Sequence, residues 1–337
     1  MNPLHETAKK MVAPGKGILA IDESHATCKK RFDALGVDFT EENRQHYRQL
    51  LVTAPETETA LAGMILFDET IRQSTQDGVP FVKILREKNI IPGIKVDAGA
   101  KDLALFPGEK VTEGLDGLRD RLKEYKELGA GFAKWRAVIT IGADIPSDGC
   151  IYANAHALAR YAGLCQEADV VPMVEPEILI DGDHTIERCQ EISEKTWTVL
   201  FDLLKFFRVD LAGTILKTSM VLPGKSCQTQ VDDDTIAKAT IESFKKIIPA
   251  ELAGIVFLSG GQTDSQSTLR LNHMNQLYQD LPWPVSFSYG RGIQQPALEL
   301  WAADKTGNYN EAQKILAHRA KMNGLAAKGE YDTSLER

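Results

Sequence analysis

An α/β fold, and within that class a (β/α)8 TIM barrel, is what this sequence predicts, and two patterns carry the prediction. Eight short apolar segments, each bounded by turn residues, recur along 337 residues. The stretches between them place apolar residues at steps of three and four, the period of amphipathic helices. Apolar strands without strict alternation, separated by helices, describe a parallel sheet whose outer face is covered. Eight such units close into a barrel; an open doubly wound sheet is the alternative.

In chain order the segments are GILAID (17–22), GMILFDE (63–69), IIPGIKVD (90–97), GFAKWRAVI (131–139), VVPMVEPEIL (170–179), GTILKTSM (213–220), GIVFLSGG (254–261) and PVSFSYGRG (284–292). Helical spacing between them is carried by Leu115, Leu118, Leu122 and Tyr125; by Ile151, Ala155, Leu158, Ala162 and Cys165; by Trp197, Leu200, Leu204 and Phe207; and by Ala237, Ile241, Phe244 and Ile248. No linker rich in Pro, Gly or Ser and no internal repeat divides the chain, so residues 1–337 are expected to form a single barrel domain. The excess over the ~250 residues of a typical barrel is assigned to a short N-terminal lead-in, a connection around 98–113, and a C-terminal helix with a short tail. That tail, GEYDTSLER, reads as loop.

Composition is ordinary for a globular protein, 43% hydrophobic and 26% charged. A net charge of −8 and the lack of a long Lys/Arg block argue against a nucleic-acid partner. No stretch approaches the ~20 apolar residues of a membrane span, and the opening MNPLHETAKKMVAPGKG lacks the apolar core of a signal peptide. Cys28, Cys150, Cys165, Cys189 and Cys227 form no CxxC pair, and their odd number argues against a disulfide framework and for a reducing compartment. A soluble cytoplasmic protein is expected, with cysteines serving as small buried residues.

Polar residues inside the apolar segments gather near their C-terminal ends: Asp22, Glu69, Lys95, Lys134, Arg136, Glu175, Glu177, Lys217, Ser259, Ser288 and Arg291. A barrel builds its active site at that end of its strands. Glu175 and Glu177 are two apart and share a face of a regular strand, with Pro176 between them a source of distortion. One lysine at a strand end is ordinarily a snorkelling surface residue; the same placement on several strands favours a site. Lysine attacks a carbonyl only as the free amine, scarce at an ordinary pKa of ~10.4. Desolvation and a second cation lower that value. A second cation such as Lys134 would favour the free amine on Lys217, with Glu175 and Glu177 opposing. At the ends of the seventh and eighth segments, SGG (259–261) and SYGRG (288–292) bring backbone N–H groups close to an anion, with Ser259 and Arg291 as side-chain donors.

Other apparent motifs carry no function. Gly15, Gly17 and Ala20 fit G-x-G-x-x-A but run into a strand, where a dinucleotide fingerprint must open a helix. His156, His184 and His273 lie far apart in sequence and suggest no metal site. Asp232, Asp233 and Asp234 precede a helical pattern and read as helix-start residues.

Taken together and in this order, GKGILAIDES, PGIKVD, FAKWRAV, VPMVEPEIL, GTILKTSM, FLSGGQ and FSYGRGIQ resemble the class I fructose-1,6-bisphosphate aldolases, from about residue 8 to 331. The resemblance implies a TIM barrel that reversibly cleaves fructose 1,6-bisphosphate to dihydroxyacetone phosphate and glyceraldehyde 3-phosphate without metal or other cofactor. It implies Lys217 as the Schiff-base nucleophile and Lys134 as a group handling charge and protons beside it. Glu175 would dehydrate the carbinolamine, Glu177 would assist, and Asp22 would deprotonate the C4 hydroxyl. Ser259, Gly260, Ser288, Gly290 and Arg291 would hold the phosphate of the dihydroxyacetone half. Lys95, Arg136, Ser24 and Thr27 would face the other phosphate, with Lys30 and Arg31 near the substrate. Sugar phosphates are then the partners, and a homo-oligomer, a tetramer by resemblance, is expected.

The chain departs from the family pattern in three places. KTSM stands where KPNM or KPSM is usual, so the strand exit there is expected to differ. Thr27 replaces a common serine and keeps the hydroxyl. Animal and chloroplast members continue into a flexible tail ending in a tyrosine that aids enamine proton exchange. Here Arg337 lies six residues after Tyr331, so either another group takes that role or the enamine step is slower, with cleavage expected to survive. Two other readings stay open: the same chemistry on sedoheptulose 1,7-bisphosphate, or a noncatalytic sugar-phosphate-binding scaffold. Retention of Lys217, Lys134, Glu175 and Asp22 argues against the scaffold.

Overall fold

Each of the eight apolar segments contributes one strand to a closed parallel barrel in the computed structural model, which describes residues 2–336. The barrel strands are β1 (Gly17–Ala20), β2 (Leu61–Leu66), β3 (Ile91–Lys95), β6 (Phe132–Ile139), β7 (Val171–Ile178), β8 (Ile215–Thr218), β9 (Gly254–Phe257) and β10 (Val285–Tyr289). Each pairs in parallel with its neighbours, and β10 pairs with β1 to close the ring. Between β3 and β6 the chain makes an antiparallel hairpin, β4 (Gly99–Asp102) with β5 (Lys110–Glu113). Sequence reading assigned this stretch only as a connection. The tail is likewise not all loop, since Thr333–Glu336 form a turn of 3-10 helix.

Before β1 lies α1 (Pro3–Met11); α2 (His25–Ala34) and α3 (Glu41–Thr53) follow it. Next come α4 (Asp68–Ile71), α5 (Phe81–Glu87), α6 (Leu118–Leu128), α7 (Asp148–Glu167), α8 (Ile186–Phe206) and α9 (Asp233–Ile247). The last three helices are α10 (Asp264–Leu277), α11 (Arg291–Ala303) and α12 (Tyr309–Ala326). The apolar periods read from sequence in 115–125, 151–165, 197–207 and 237–248 fall on α6, α7, α8 and α9. Asp232 caps α9, accepting a hydrogen bond from the Thr235 N–H at 2.7 Å, with Asp233 and Asp234 in the first turn. Among the described residues, no helix is long and apolar enough to cross a membrane, and all five cysteines are free thiols, four of them buried.

Period-two alternation, hidden in the sequence because both faces of each strand are covered, decides what points where. Leu19, Met64, Trp135, Val174, Leu216, Ile255, Phe257 and Phe287 belong to the core between strands and helices. Ile18, Ile65, Phe132, Val171, Met173, Ile215 and Val256 belong to a separate cluster that fills the barrel. One or two steps of two along β6, β7 and β8, the inward positions become Lys134 and Arg136, Glu175 and Glu177, and Lys217. The barrel is thus apolar below and charged above.

Its lower end is plugged by α1. Leu4, Ala8, Met11 and Val12 join the interior cluster, and a Cβ on Gly254 would meet Val12 Cγ2 at 2.7 Å. Asn2 caps this helix through its side chain, and Pro3 opens it. A Cβ at Gly93 would lie 2.2 Å from Phe132 Cζ, so glycine there makes room for the ring on the neighbouring strand.

Candidate active site

At the C-terminal ends of the strands lies a cavity of about 410 Å³, within the ~300–1,000 Å³ range of small-molecule sites. Asp22, Ser24, Thr27, Arg31, Lys95, Lys134, Arg136, Glu175, Glu177, Lys217, Ser259, Gly260, Ser288, Gly290 and Arg291 all line it. Lys30 does not; it sits on the exposed side of α2 and lines an adjoining groove between α2 and the loop after β9. Glu69, also among the charges noted near strand ends, is drawn away too. β2 ends at Leu66, and Glu69 turns into α4 to pair with Arg44 (Nε to Oε2, 2.9 Å) and His25 (3.4 Å).

Three buried groups and the partly buried Asp22 form a chain of alternating charge across the cavity floor. Lys217 Nζ lies 3.1 Å from Glu175 Oε1; Glu175 Oε2 lies 3.5 Å from Lys134 Nζ; Lys134 Nζ lies 2.6 Å from Asp22 Oδ2. Lys217 and Lys134 are each 4% exposed and Glu175 3%, so their charges are stabilised by one another rather than by bulk water. Burial disfavours charge on Lys134, but the carboxylates of Asp22, Glu175 and Asp97 outweigh it and hold the ammonium pKa well above its ordinary value. Burial likewise pushes Asp22 up, while Lys134, Lys217 and Lys95 bring it down to about 2. Both groups are therefore charged at neutral pH. Pro176 leaves β7 regular, in register with Ala137, and Glu175 and Glu177 both face the cavity. Glu177 pairs with the Arg136 guanidinium, whose pKa rises further through that contact against the cost of burial.

The KTSM exit of β8 is anchored by its hydroxyls. Thr218 Oγ1 accepts from Trp197 Nε1 at 3.1 Å and donates to the Pro176 carbonyl, and Ser219 Oγ donates to the Ile178 carbonyl at 2.8 Å. Thr218 remains paired with Phe257 of β9.

Donors converge from two sides. Gly290 occupies the N-cap position of α11 and Arg291 its first turn, so the N–H groups of that helix open on the cavity beside Ser259 and Gly260. Gly260 holds φ +37°, and a Cβ there would strike Leu258 Cδ1 at 2.5 Å; the backbone can approach a ligand because no side chain intervenes. Ser288 Oγ is buried among the described residues without a hydrogen-bond partner. Ser24 caps α2, accepting from the Thr27 N–H, and Ser24, Thr27, Lys95 and Arg136 all line the cavity, Lys95 and Arg136 on strands across the barrel from β9 and β10.

Sequence reading passed over two residues. Asp97, two positions beyond Lys95, accepts from Lys95 Nζ (2.6 Å), the Gly99 N–H (3.0 Å) and the Arg136 N–H (3.2 Å), tying β3 to the hairpin and to β6. Its place at the end of PGIKVD, an acid two steps after an inward lysine, was the available signal. Glu23, beside Asp22, also lines the cavity, but its partners come from α2, α3 and α11, which local sequence does not reveal. Among the described residues, no three His, Cys, Asp or Glu side chains gather in a geometry that would hold a metal ion.

The family model described as fructose-bisphosphate aldolase class-I matches residues 3–337. A protein of Xanthomonas campestris named probable fructose-bisphosphate aldolase class 1 is 62% identical over 328 residues, 97% of this chain and 98% of that one. The Arabidopsis thaliana protein named fructose-bisphosphate aldolase 5, cytosolic, is 48% identical over 97% of this chain and 91% of its own length. Among solved structures, the aldolase of Plasmodium falciparum, determined with TRAP and a small-molecule inhibitor, superposes with a TM-score of 0.96 at 43% identity, covering 98% of this chain and 95% of that one.

Proposed function

Because this chain belongs to the class I fructose-bisphosphate aldolases, it is a lyase that reversibly cleaves fructose 1,6-bisphosphate through a lysine Schiff base, and we propose that Lys217 is that lysine. The observation that carries this assignment is the 3.1 Å contact between Lys217 Nζ and Glu175 Oε1 on a dry barrel floor. Transfer of one proton from Lys217 to Glu175 yields both species the reaction needs, a neutral amine and a carboxylic acid. The amine adds to C2 of the sugar; Glu175 returns the proton to the carbinolamine oxygen, and water leaves. The resulting iminium is the electron sink. Asp22 takes the C4 hydroxyl proton, the C3–C4 bond breaks toward the iminium, and glyceraldehyde 3-phosphate departs from an enamine. Protonation of that enamine at C3 and hydrolysis free dihydroxyacetone phosphate and Lys217. Lys134, between Asp22 and Glu175, keeps both carboxylates oriented and compensated as protons move, with Glu177 assisting at the rim.

Ser259, Gly260, Ser288, Gly290 and Arg291 hold the phosphate of the dihydroxyacetone half, and Lys95, Arg136, Ser24 and Thr27 the other, with Arg31 near the substrate. The strand order, which sets Lys95 on β3 and Arg136 on β6 across the barrel from β9 and β10, supports this assignment. The same reading takes residues 1–337 as one domain, supported by the packing of α1 and α12 on the barrel. It also takes the protein as a cytoplasmic homotetramer, the location supported by the cytosolic Arabidopsis relative.

Borohydride reduction with dihydroxyacetone phosphate, followed by peptide mass mapping, tests the nucleophile. An adduct on Lys217 is expected, and a chelator should leave turnover unchanged. Binding without an adduct would remove the mechanism above. Comparison of kcat/KM for fructose and sedoheptulose bisphosphates ranks the two sugars.

A further inference from the structure

A second cavity, of about 570 Å³, opens at the end of the barrel opposite the candidate active site, between α1, α5, α6 and the entries to β2, β3 and β6. No acid lines it, and four cations do: Lys10, Lys16, Arg86 and Lys126. Lys16 Nζ donates to the Glu58 carbonyl, Arg86 Nη2 to the Gly129 carbonyl at 3.3 Å, and Lys126 Nζ to the Asp169 carbonyl. The Glu58 carboxylate turns instead to Lys88, at 3.5 Å. Among the described residues none of the four cations forms an ion pair, whereas exposed cations elsewhere do, as Lys29 with Asp33 and Arg119 with Glu167, each at 2.6 Å. The rest of the lining is mostly apolar, with Ala13, Leu61, Ala62, Ile91 and Pro92 among its walls. A Cβ on Gly129 would lie 2.7 Å from Arg86 Nη2, so glycine there leaves the guanidinium its place.

Three of these cations end helices, Lys10 on α1, Arg86 on α5 and Lys126 on α6, where the macrodipole favours positive charge. That accounts for each cation singly. It does not account for their meeting on one cavity, joined by Lys16 from the loop before β1, with no carboxylate among them in a chain of net charge −8. Like charges repel, and an anion that bridges them relieves the repulsion. Each ammonium carries three N–H donors and the guanidinium five, so beyond the carbonyls already bonded all four keep donors free, of the kind phosphate oxygens accept. We propose that this cavity binds an organic polyphosphate with a flat apolar part, the chemistry of a nucleoside di- or triphosphate. Lys10, Lys16, Arg86 and Lys126 take the phosphates, and Leu61, Ile91 and Pro92 take the flat part. A barrel performs its chemistry at the other end of its strands, so the ligand is held here rather than converted.

Isothermal titration calorimetry with adenosine triphosphate and with inorganic triphosphate, at about 0.1 M salt, tests the proposal. Three proteins are compared: the wild type; Lys10→Gln/Lys126→Gln, whose altered side chains are exposed; and Arg291→Gln, which removes a cation from the catalytic cavity. Adenosine triphosphate should saturate the wild type below about 1 mM. The double variant should bind it about tenfold more weakly or worse, and Arg291→Gln within about twofold of the wild type. The double variant should also keep kcat within about twofold; should it lose kcat, Arg86→Gln, a single exposed change, replaces it with a fall in affinity again expected. Inorganic triphosphate, which leaves the apolar walls uncovered, should bind the wild type about fivefold more weakly than adenosine triphosphate. No saturation of the wild type, undiminished affinity in the pocket variants, a larger loss in Arg291→Gln than in them, or equal affinity for the two ligands overturns the proposal.

Discussion

Two ammonium groups and two carboxylates, Lys217, Glu175, Lys134 and Asp22, alternate across the floor of the site, and removal of any one leaves a buried charge uncompensated. Lys134→Met is expected to lower kcat on the order of 10²–10³-fold with a smaller change in KM, and to cost about 3 kcal/mol of stability, read from steady-state kinetics and urea unfolding. Acid titration reports on Asp22. Its folded pKa is depressed from 3.8 to about 2, so its contribution, about 2 kcal/mol, is complete above pH 4 and fades as pH falls through 2. Asp22→Asn should flatten the loss of stability between pH 4 and 2. Of this chemistry the sequence disclosed the members that interrupt an apolar strand: Lys217 is the one charge in GTILKTSM, and Glu175 and Glu177 are the only charges in VVPMVEPEIL. It did not disclose Glu23, whose partners Arg48 and Gln294 lie 25 and 271 residues away. Lys30, which the resemblance implies near the substrate, is one helical position from Arg31 and so turned about 100° from it, onto the adjoining groove.

Strands and helices were legible to unequal degrees, for a physical reason. All eight barrel strands are apolar because they are covered on both sides, and α6 to α9 carry a clear one-sided stripe. The hairpin β4–β5 has no such stripe: most of its residues are exposed or half-buried, and Thr112 alone is buried, bonded to the Arg136 carbonyl. Nor does composition show that α1 leaves the surface and enters the barrel. Glycines inside strands hold information of the same kind, since they mark where a ring from the next strand lies. Gly93→Ala, which must displace Phe132, is expected to cost about 1–3 kcal/mol, seen as a lower urea midpoint with unchanged slope.

For the molecule as a whole, a net charge of −8 coexists with a cavity in which Arg31, Lys95, Lys134, Arg136, Lys217 and Arg291 slightly outnumber the carboxylates of Asp22, Glu23, Asp97, Glu175 and Glu177. A substrate with two phosphates is repelled by the mean charge and attracted by the local one. Raising ionic strength from about 0.01 to about 0.15 M, which shortens the screening length from ~30 to ~8 Å, should raise KM several-fold and leave kcat nearly unchanged. The plug formed by α1 bears on traffic through the same opening. With Leu4, Ala8, Met11 and Val12 filling the lower end, the barrel is a well rather than a tunnel, and whatever enters must leave by the way it came. With Lys217, the proposed nucleophile, on the buried floor of that well, the fragment bonded to it is expected to share the single exit with the fragment that is not, and product-inhibition kinetics would read the order in which they leave.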